Sequence, residues 1–311
     1  VQTLRAAVIG VGYFGSRHAE RLAKLPGIDL NYLVDADGSR VDTLAEQLGA
    51  RTAQHYREVL GKVDIATVAV PTRMHAEVAE ALLRSGTHVL VEKPLTATLQ
   101  EADRVVSAAA ANGRVLCVGH LERFNAALSA ARSRIDDPRF IEAHRLASFK
   151  PRGIDVDVIL DLMIHDLDII LSLTDSPVAD VRANGVAVLT GGIDIANARI
   201  EFENGCVANV TASRVSTKQM RKLRIFQPEC YIAVDFRERS LDIARVNRQT
   251  RNLPNAGISV ERLTFPEADE LEAELQAFVD AVRGEQRVAP SAQDGRRALE
   301  LALQVSHRIH R

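Results

Sequence analysis

Leu4-Arg5-Ala6-Ala7-Val8-Ile9-Gly10-Val11-Gly12-Tyr13-Phe14-Gly15 decides the fold of the N-terminal half. A short apolar run, a turn with glycines at positions one, three and six, and an immediate helical pattern from Phe14 to Leu25 form the strand–turn–helix that opens a parallel α/β unit. Outward from it the same alternation continues. Leu30–Val34 reads as a strand, Val41–Leu48 as a helix closed by Gly49, and Val63–Val70 as a continuous apolar strand followed by the helix His75–Ser85. The strand His88–Val91, a helix around Leu99–Ala111 and the strand Arg114–Val118 complete the series. Continuous apolar strands separated by helices indicate a doubly wound parallel sheet covered on both faces.

After Gly119-His120 the rhythm changes. A strand over Phe140–Phe149 and a long helix over Ile154–Leu173 precede Val178–Leu189, Ile193–Glu201, Cys206–Ser213, Leu223–Phe226 and Cys230–Asp235, with hairpin signals at Thr190-Gly191-Gly192 and Glu203-Asn204-Gly205. Strands in succession predict an open, mainly antiparallel sheet in an α+β domain. Residues 236–265 carry no clear pattern. Ala268–Gly284 and Gly295–His310 read as helices joined by a linker. The expected division is a dinucleotide-binding domain over residues 1–120 and a substrate-binding and oligomerisation domain over 121–311, with the last helix able to pack back on the first.

With 46% hydrophobic and 26% charged residues among 311, disorder and collagen are excluded, and a net charge of −2 argues against a nucleic-acid partner. No apolar run reaches the ~18 residues of a membrane span. The opening residues lack the basic, apolar and cleavage segments of a secretory leader, so a cytoplasmic chain is expected. Cys117, Cys206 and Cys230 have no metal-ligand spacing and read as buried small hydrophobes.

Four features carry chemistry. In the glycine turn, Gly10 permits the tight bend, Gly12 lets a pyrophosphate approach the backbone, and Gly15 brings helix and strand together; the free N–H groups of the helix start attract phosphate. Asp35, twenty residues beyond Gly15, stands where a ribose hydroxyl is held and favours NAD, while Arg40 keeps NADP open. Next, Glu92-Lys93-Pro94 lies at the carboxyl end of a central strand, where ligands of open sheets bind. Lys93 is either a solvated loop cation or a donor to a developing alkoxide. Third, Asp157, Asp161, His165 and Asp168 fall on one stripe of an otherwise apolar helix. The stripe is a base with its orienting carboxylate, a satisfied buried network, or a cation site; without paired histidines no metal is expected. Last, Val70-Pro71-Thr72-Arg73-Met74-His75 follows another sheet strand, with His75 either capping the next helix or reaching the nicotinamide side. The basic run Arg214–Arg224 is either a solvated edge or a receptor for a diphosphate.

Together the GxGxxG start, Glu92-Lys93-Pro94, the Asp161-x-x-x-His165-x-x-Asp168 helix, and Ser291 with Asp294-Gly295 before the last helix resemble the family of glucose–fructose oxidoreductase and inositol dehydrogenase (Gfo/Idh/MocA). The resemblance implies a Rossmann domain, NAD as cofactor, catalytic Lys93, His165 and Asp161, and a homodimer or homotetramer formed through the open face of the second sheet. The cofactor contacts it implies are Gly10, Gly12, Tyr13, Phe14, Gly15, Asp35 and Arg40 around the first turn. They continue with Pro71, Thr72, His75, Glu92, Lys93, Pro94 and Arg123 at later strand ends. Arg152-Gly153-Ile154-Asp155-Val156-Asp157 and Met163 depart from the glycine-rich inositol pattern. With the Ser213–Lys218 and Arg221–Gln227 stretches, they look more like the UDP-N-acetylglucosamine 3-dehydrogenases. That similarity implies a sugar nucleotide held by Arg152, Lys218 and Arg221 beside Lys93, Asp161 and His165, and a 3-keto product passed to an aminotransferase for lipid A. A free-sugar, inositol or dihydrodiol dehydrogenase and a non-catalytic dinucleotide sensor are the alternatives.

Overall fold

In the computed structural model, which describes residues 3–149, 156–246, 257–285 and 290–309, the chain forms two compact units. The first contains Val1–Leu121 and Asp269–Leu299; the second contains Glu122–Ala268 and Glu300–Arg311.

The first unit holds a six-stranded parallel sheet in the order β3-β2-β1-β4-β5-β6. Its strands are β1 (Leu4–Ile9), β2 (Ile28–Val34), β3 (Arg51–Ala53), β4 (Ile65–Val68), β5 (His88–Glu92) and β6 (Leu116–Gly119). The helices are α1 (Tyr13–Leu22), α2 (Gly38–Leu48), α3 (Thr72–Arg84) and α4 (Leu99–Ala111). The continuous apolar strands are buried on both faces: all four residues of β4 are enclosed, as are Ala6, Ala7, Val8 and Ile9 of β1. This is the doubly wound sheet expected of their pattern, with the strand order reversing between β1 and β4, where such sheets bind ligands. The short edge strand β3 has no pattern of its own; three residues beside β2 suffice to extend the sheet.

A boundary at residue 120 does not account for Asp269–Leu299. Helix α7 (Glu270–Arg283) turns Leu271, Leu275, Phe278 and Val279 into the same core as Leu22, Leu33 and Val8. The start of α8 (Ala292–Ile309) also belongs to the first unit: Val118 donates to the Pro290 carbonyl, and a Cβ at Gly295 would strike the Val118 side chain. Ser291 and Asp294 cap that helix start reciprocally, Ser291 N–H donating to the carboxylate at 2.9 Å and Asp294 N–H to the Ser291 hydroxyl at 3.2 Å.

The second unit is built on an eight-stranded sheet in the order β14-β13-β12-β11-β7-β10-β9-β8. The strands are β7 (Phe140–Leu146), β8 (Val178–Val186), β9 (Ile195–Phe202), β10 (Val207–Ser213), β11 (Met220–Gln227), β12 (Cys230–Asp235), β13 (Ser240–Val246) and β14 (Ile258–Thr264). Among the described residues only the β7–β10 pair of this sheet is parallel. Strands β13 and β14 occupy the stretch without a clear sequence pattern. The edge strand β14 shows why: every residue but Leu263 is exposed, so no alternation of burial marks it. Helix α5 (Ala126–Arg132) is also absent from the sequence reading. The long helix splits into a π-helical turn, Ile159–Met163, followed by α6 (Ile164–Thr174). Its first predicted residues, Ile154 and Asp155, lie outside the described residues. Among the described residues no helix is long and apolar enough to cross a membrane.

Candidate functional site

In the first unit the turn between β1 and α1 is a cradle of backbone. Gly10 has φ +89°, and a Cβ there would approach the Ala69 carbonyl oxygen to 2.7 Å. A Cβ at Gly15 would drive into the Gly10 carbonyl, whereas one at Gly12 would point into open space. Gly12 is the N-cap of α1 and supplies no side-chain cap, so the helix start keeps its N–H groups for another acceptor. Asp35, at the end of β2, accepts the Val11 N–H at 2.7 Å and the Asp37 N–H at 3.0 Å, which fixes the carboxylate against the glycine turn. Tyr13 and Phe14 are 52% and 44% exposed and stack edge-to-face, with the Arg17 guanidinium 4.5 Å above the Tyr13 ring. An open Gly12, an uncapped helix start and a fixed carboxylate fit a dinucleotide. Arg40 lies on α2, and its side chain is outside the described residues.

Pro71 and Thr72 begin α3 beyond β4, and Lys93 follows β5 half-buried, ahead of a cis bond to the buried Pro94. His75 is turned inward. It is 1% exposed, with Nδ1 2.9 Å from the Pro94 carbonyl and Nε2 2.8 Å from the Val70 carbonyl. Burial holds its pKa below the ordinary value, against the pull of those carbonyls. It ties the two strand-end loops together. Glu92 is likewise turned inward, 3.0 Å from His18 Nε2.

In the second unit the polar stripe of the sequence comes apart. The π turn closes with Ile164 N–H donating to the Ile159 carbonyl, five residues back, which resets the helical phase between Asp157 and His165. Asp157 precedes the turn, where it caps Leu160 N–H at 2.9 Å and accepts the Ser306 hydroxyl at 2.7 Å. Asp168 is 1% exposed and receives both arms of Arg123 at 2.6 Å. That pair absorbs Arg123, expected as a cofactor contact, into the framework of the second unit. Asp161 and His165 remain half-buried, one on the π turn and the other in the first turn of α6.

What aims that turn is a network the sequence reading missed. Arg145, 2% exposed, forks onto Asp166 at 2.9 Å twice and reaches Glu122 at 2.7 Å. Burial opposes its charge, but the two carboxylates outweigh it and raise its pKa above the ordinary value. Asp166 immediately follows His165, so the clamp from β7 fixes the rotation of α6. The signal was available: Arg145 continues the inward register of Ile141 and Ala143 on an alternating strand. A charge on that face demands a buried partner.

The basic run is largely spent. Arg214 is buried and donates to the Val156 carbonyl, Arg224 pairs with Glu142 at 2.8 Å, and Lys222 with Asp235 at 3.1 Å. Lys218 and Arg221 are exposed, Arg221 lying 3.5 Å from Glu122. Arg152 falls outside the described residues. Cys117 and Cys206 are buried, as expected, with burial pushing their thiols up to about 12 and about 11; Cys230 is half-buried.

A family model of oxidoreductases with an NAD-binding Rossmann fold matches residues 4–120, and a GFO/IDH/MocA C-terminal domain model matches residues 127–232. Over 304 residues the chain is 39% identical to UDP-N-acetylglucosamine 3-dehydrogenase of Acidithiobacillus ferrooxidans, with 97% of this chain and 96% of that one covered. The chain belongs to the GFO/IDH/MocA oxidoreductase family. Its first unit is the NAD-binding Rossmann domain of that family, and its doubly wound and mainly antiparallel sheets are those the motifs predicted. A solved structure of the A. ferrooxidans enzyme matches with a TM-score of 0.91 at 37% identity, covering 99% of this chain and 98% of the other. Myo-inositol 2-dehydrogenase of Thermotoga maritima is 25% identical over 317 residues, 96% of this chain and 94% of its own. A levoglucosan dehydrogenase in complex with NADH shares the fold, with a TM-score of 0.87 at 18% identity over 99% of this chain and 97% of the other.

Proposed function

We propose that this GFO/IDH/MocA oxidoreductase oxidises C3 of UDP-N-acetylglucosamine to the ketone with NAD. The observation that carries the reading is the 39% identity over 97% of the chain to an enzyme of that name, in a chain that presents Lys93 at a sheet end and the Asp161/His165 turn. His165 takes the proton of the substrate hydroxyl, and Asp161, one turn earlier, orients the imidazole. Lys93 donates to the same oxygen and stabilises the negative charge that develops as the carbon–hydrogen bond breaks. Gly10, Gly12 and Gly15 with the start of α1 hold the pyrophosphate, Asp35 holds the adenosine ribose, and Pro71 and Thr72 flank the cofactor. NAD, when bound, supplies the acceptor for the hydride. Lys218 and Arg221 offer cations to the substrate diphosphate.

On this reading the product is a ketone that a separate aminotransferase converts for lipid A, and the enzyme works in the cytoplasm. Two or four copies associate through the outer face of the second sheet, where Phe140, Phe226 and Tyr231 stack at centroid distances of 5.7 and 5.1 Å. Light scattering after size exclusion reads that assembly. Formation of NADH, followed by its near-ultraviolet absorbance with UDP-N-acetylglucosamine, free sugars, inositols and dihydrodiols, tests the function. Turnover of the sugar nucleotide alone is expected. Turnover of inositol instead selects the polyol reading, which the inositol dehydrogenases among the relatives favour; binding of NAD without turnover of any of them selects a sensor.

A further inference from the structure

Three titratable side chains that the proposed chemistry does not use meet inside the first unit. His18 of α1 is fully buried, Glu274 of α7 is 1% exposed, and the Glu92 side chain is 15% exposed. One nitrogen or oxygen from each lies within 4.8 Å of those of the other two. His18 and Glu92 are in hydrogen-bond contact at 3.0 Å, but neither oxygen of Glu274 has a hydrogen-bond partner among the described residues. A carboxylate enclosed to this degree, with neither oxygen accepting a hydrogen bond among the described residues, is disfavoured as an anion and keeps its proton.

We propose that Glu274 is a carboxylic acid at neutral pH, and that Glu92, which meets it and His18 in this cluster, is a positioning residue for Lys93. Glu92 is the last residue of β5, and the next peptide carries Lys93. With Glu274 neutral, Glu92 is the single negative charge of the cluster. Its carboxylate then has a fixed seat, accepting from His18 Nε2, and it holds the strand end from which the lysine projects. Burial works against the Glu92 charge, yet His18 and the adjacent Lys93 bring its pKa below the ordinary value. Glu274 moves the other way, well above it, through burial and then through the Glu92 charge. The groups facing the cluster are His18 from α1, Glu92 and Lys93 from the end of β5, His75 from α3 and Cys117 from β6. A second negative charge on Glu274 would repel Glu92 and loosen its seat, so rising pH acts on Lys93 through this pair. The role for Glu92 rests on the reading of Lys93 as catalytic; the proton on Glu274 does not.

Infrared difference spectra of the full chain, wild type against Glu274→Gln, read that proton directly. A protonated-carboxyl band at neutral pH that the variant lacks is expected, and its absence overturns the proposal. So does a stoichiometric divalent metal that chelator removes and Glu274→Gln fails to bind, because Glu274 would then be an ionised ligand. Stability follows with a fixed sign: a carboxyl whose folded pKa is raised loses stability as pH climbs from its ordinary 4.5 towards the folded value. The melting temperature of the wild type therefore falls relative to Glu274→Gln over that window; parallel curves overturn the assignment. For positioning, Glu92→Gln should lower kcat roughly 10–100-fold. It should leave KM for NAD nearly unmoved and alter the pH profile of kcat/KM, with Glu92→Asp recovering part of the loss. A profile superimposable on the wild type overturns the role of Glu92. Full turnover by Lys93→Ala removes the catalytic reading, and the positioning role with it, while the infrared band still decides Glu274.

Discussion

The two units write their chemistry in different places. In the first, most of the candidate function is carried by backbone, beside the side chains of Asp35 and Lys93: a glycine turn, a helix start and the ends of parallel strands, each dictated by residues adjacent in sequence. In the second it is carried by side chains whose partners lie far along the chain, as Arg145 does from Asp166 and Arg123 from Asp168. The first kind of site follows from local rules, the second only once the strands are paired. The largest effect that sharpens this contrast is kinetic. His165→Ala should lose about 10²–10⁴-fold in kcat, the range of an oriented general base. Lys93→Ala should fall comparably, and both should still bind NAD by calorimetry, because each leaves the glycine turn, the start of α1 and Asp35 in place. Loss of NAD binding in His165→Ala would break the separation of roles.

Removing the clamp comes next. Arg145→Met leaves buried Asp166 without its paired guanidinium and Glu122 with only Arg221 at 3.5 Å, and breaking a buried pair from one side costs about 3–5 kcal/mol. Urea unfolding should show it, with kcat falling as well, since Asp166 no longer fixes the turn that carries His165. An unchanged midpoint would mean that water reaches the carboxylates and the clamp is decorative.

These cases mark how far residues alone can be read. The parallel sheet was legible because continuous apolar strands separated by helices admit few other arrangements. Gly10 and Gly15 were legible because the steric demand at each is met by neighbours within the same motif or the next strand. The stripe at Asp157, Asp161, His165 and Asp168 was read in ideal helical phase, and the π turn at Ile159–Met163 broke that phase. The residues between are apolar on every side and carry no mark of where an extra residue enters the turn. Glu274 left a trace that went unused: it stands in the apolar stripe of α7 with Leu271, Leu275 and Phe278, where a charge needs a reason. His75 and Arg123, expected beside the cofactor, have protein partners that the sequence reading did not foresee, and for a common cause. Position at a strand end says where a residue is, whereas only partners say which way it faces.

A loop in the second unit gives a smaller effect with a definite sign. Asp194 is fully buried and collects the N–H groups of Val188, Leu189 and Thr190 at 2.6–2.8 Å, together with the Thr190 hydroxyl. Burial opposes its ionisation, but these donors prevail and hold its pKa far below the ordinary carboxylate value. A depressed folded pKa gives stability that is complete above the unfolded value of 3.8 and lost as pH falls through the folded one. Asp194→Ala should therefore cost about 2–3 kcal/mol at neutral pH, and the gap from wild type should narrow in strong acid. Backbone sites in the first unit should behave otherwise. Gly12→Ala meets no neighbouring atom and should leave the melting temperature close to wild type while weakening NAD binding by roughly tenfold, a shift of ~1.4 kcal/mol. Gly15→Ala, which strikes the Gly10 carbonyl, should lose both.

The smallest effect belongs to the basic run, and it separates spent cations from available ones. Arg224 and Lys222 already face Glu142 and Asp235, so their removal changes the local charge balance without uncovering a ligand contact. Lys218 and Arg221 are exposed, and Arg221 shares Glu122 with Arg145 only at 3.5 Å. If these two meet a substrate diphosphate, their joint replacement by alanine should raise KM for the sugar nucleotide by about 3–10-fold, with kcat nearly constant. Rising ionic strength should shrink the difference, because exposed charges are screened over ~8 Å at physiological salt. Arg224→Ala serves as the control with no change in KM. Equal KM values for the double variant and the control would place every cation of the run in the framework. Recognition of the substrate by the second unit would then rest on groups other than this run.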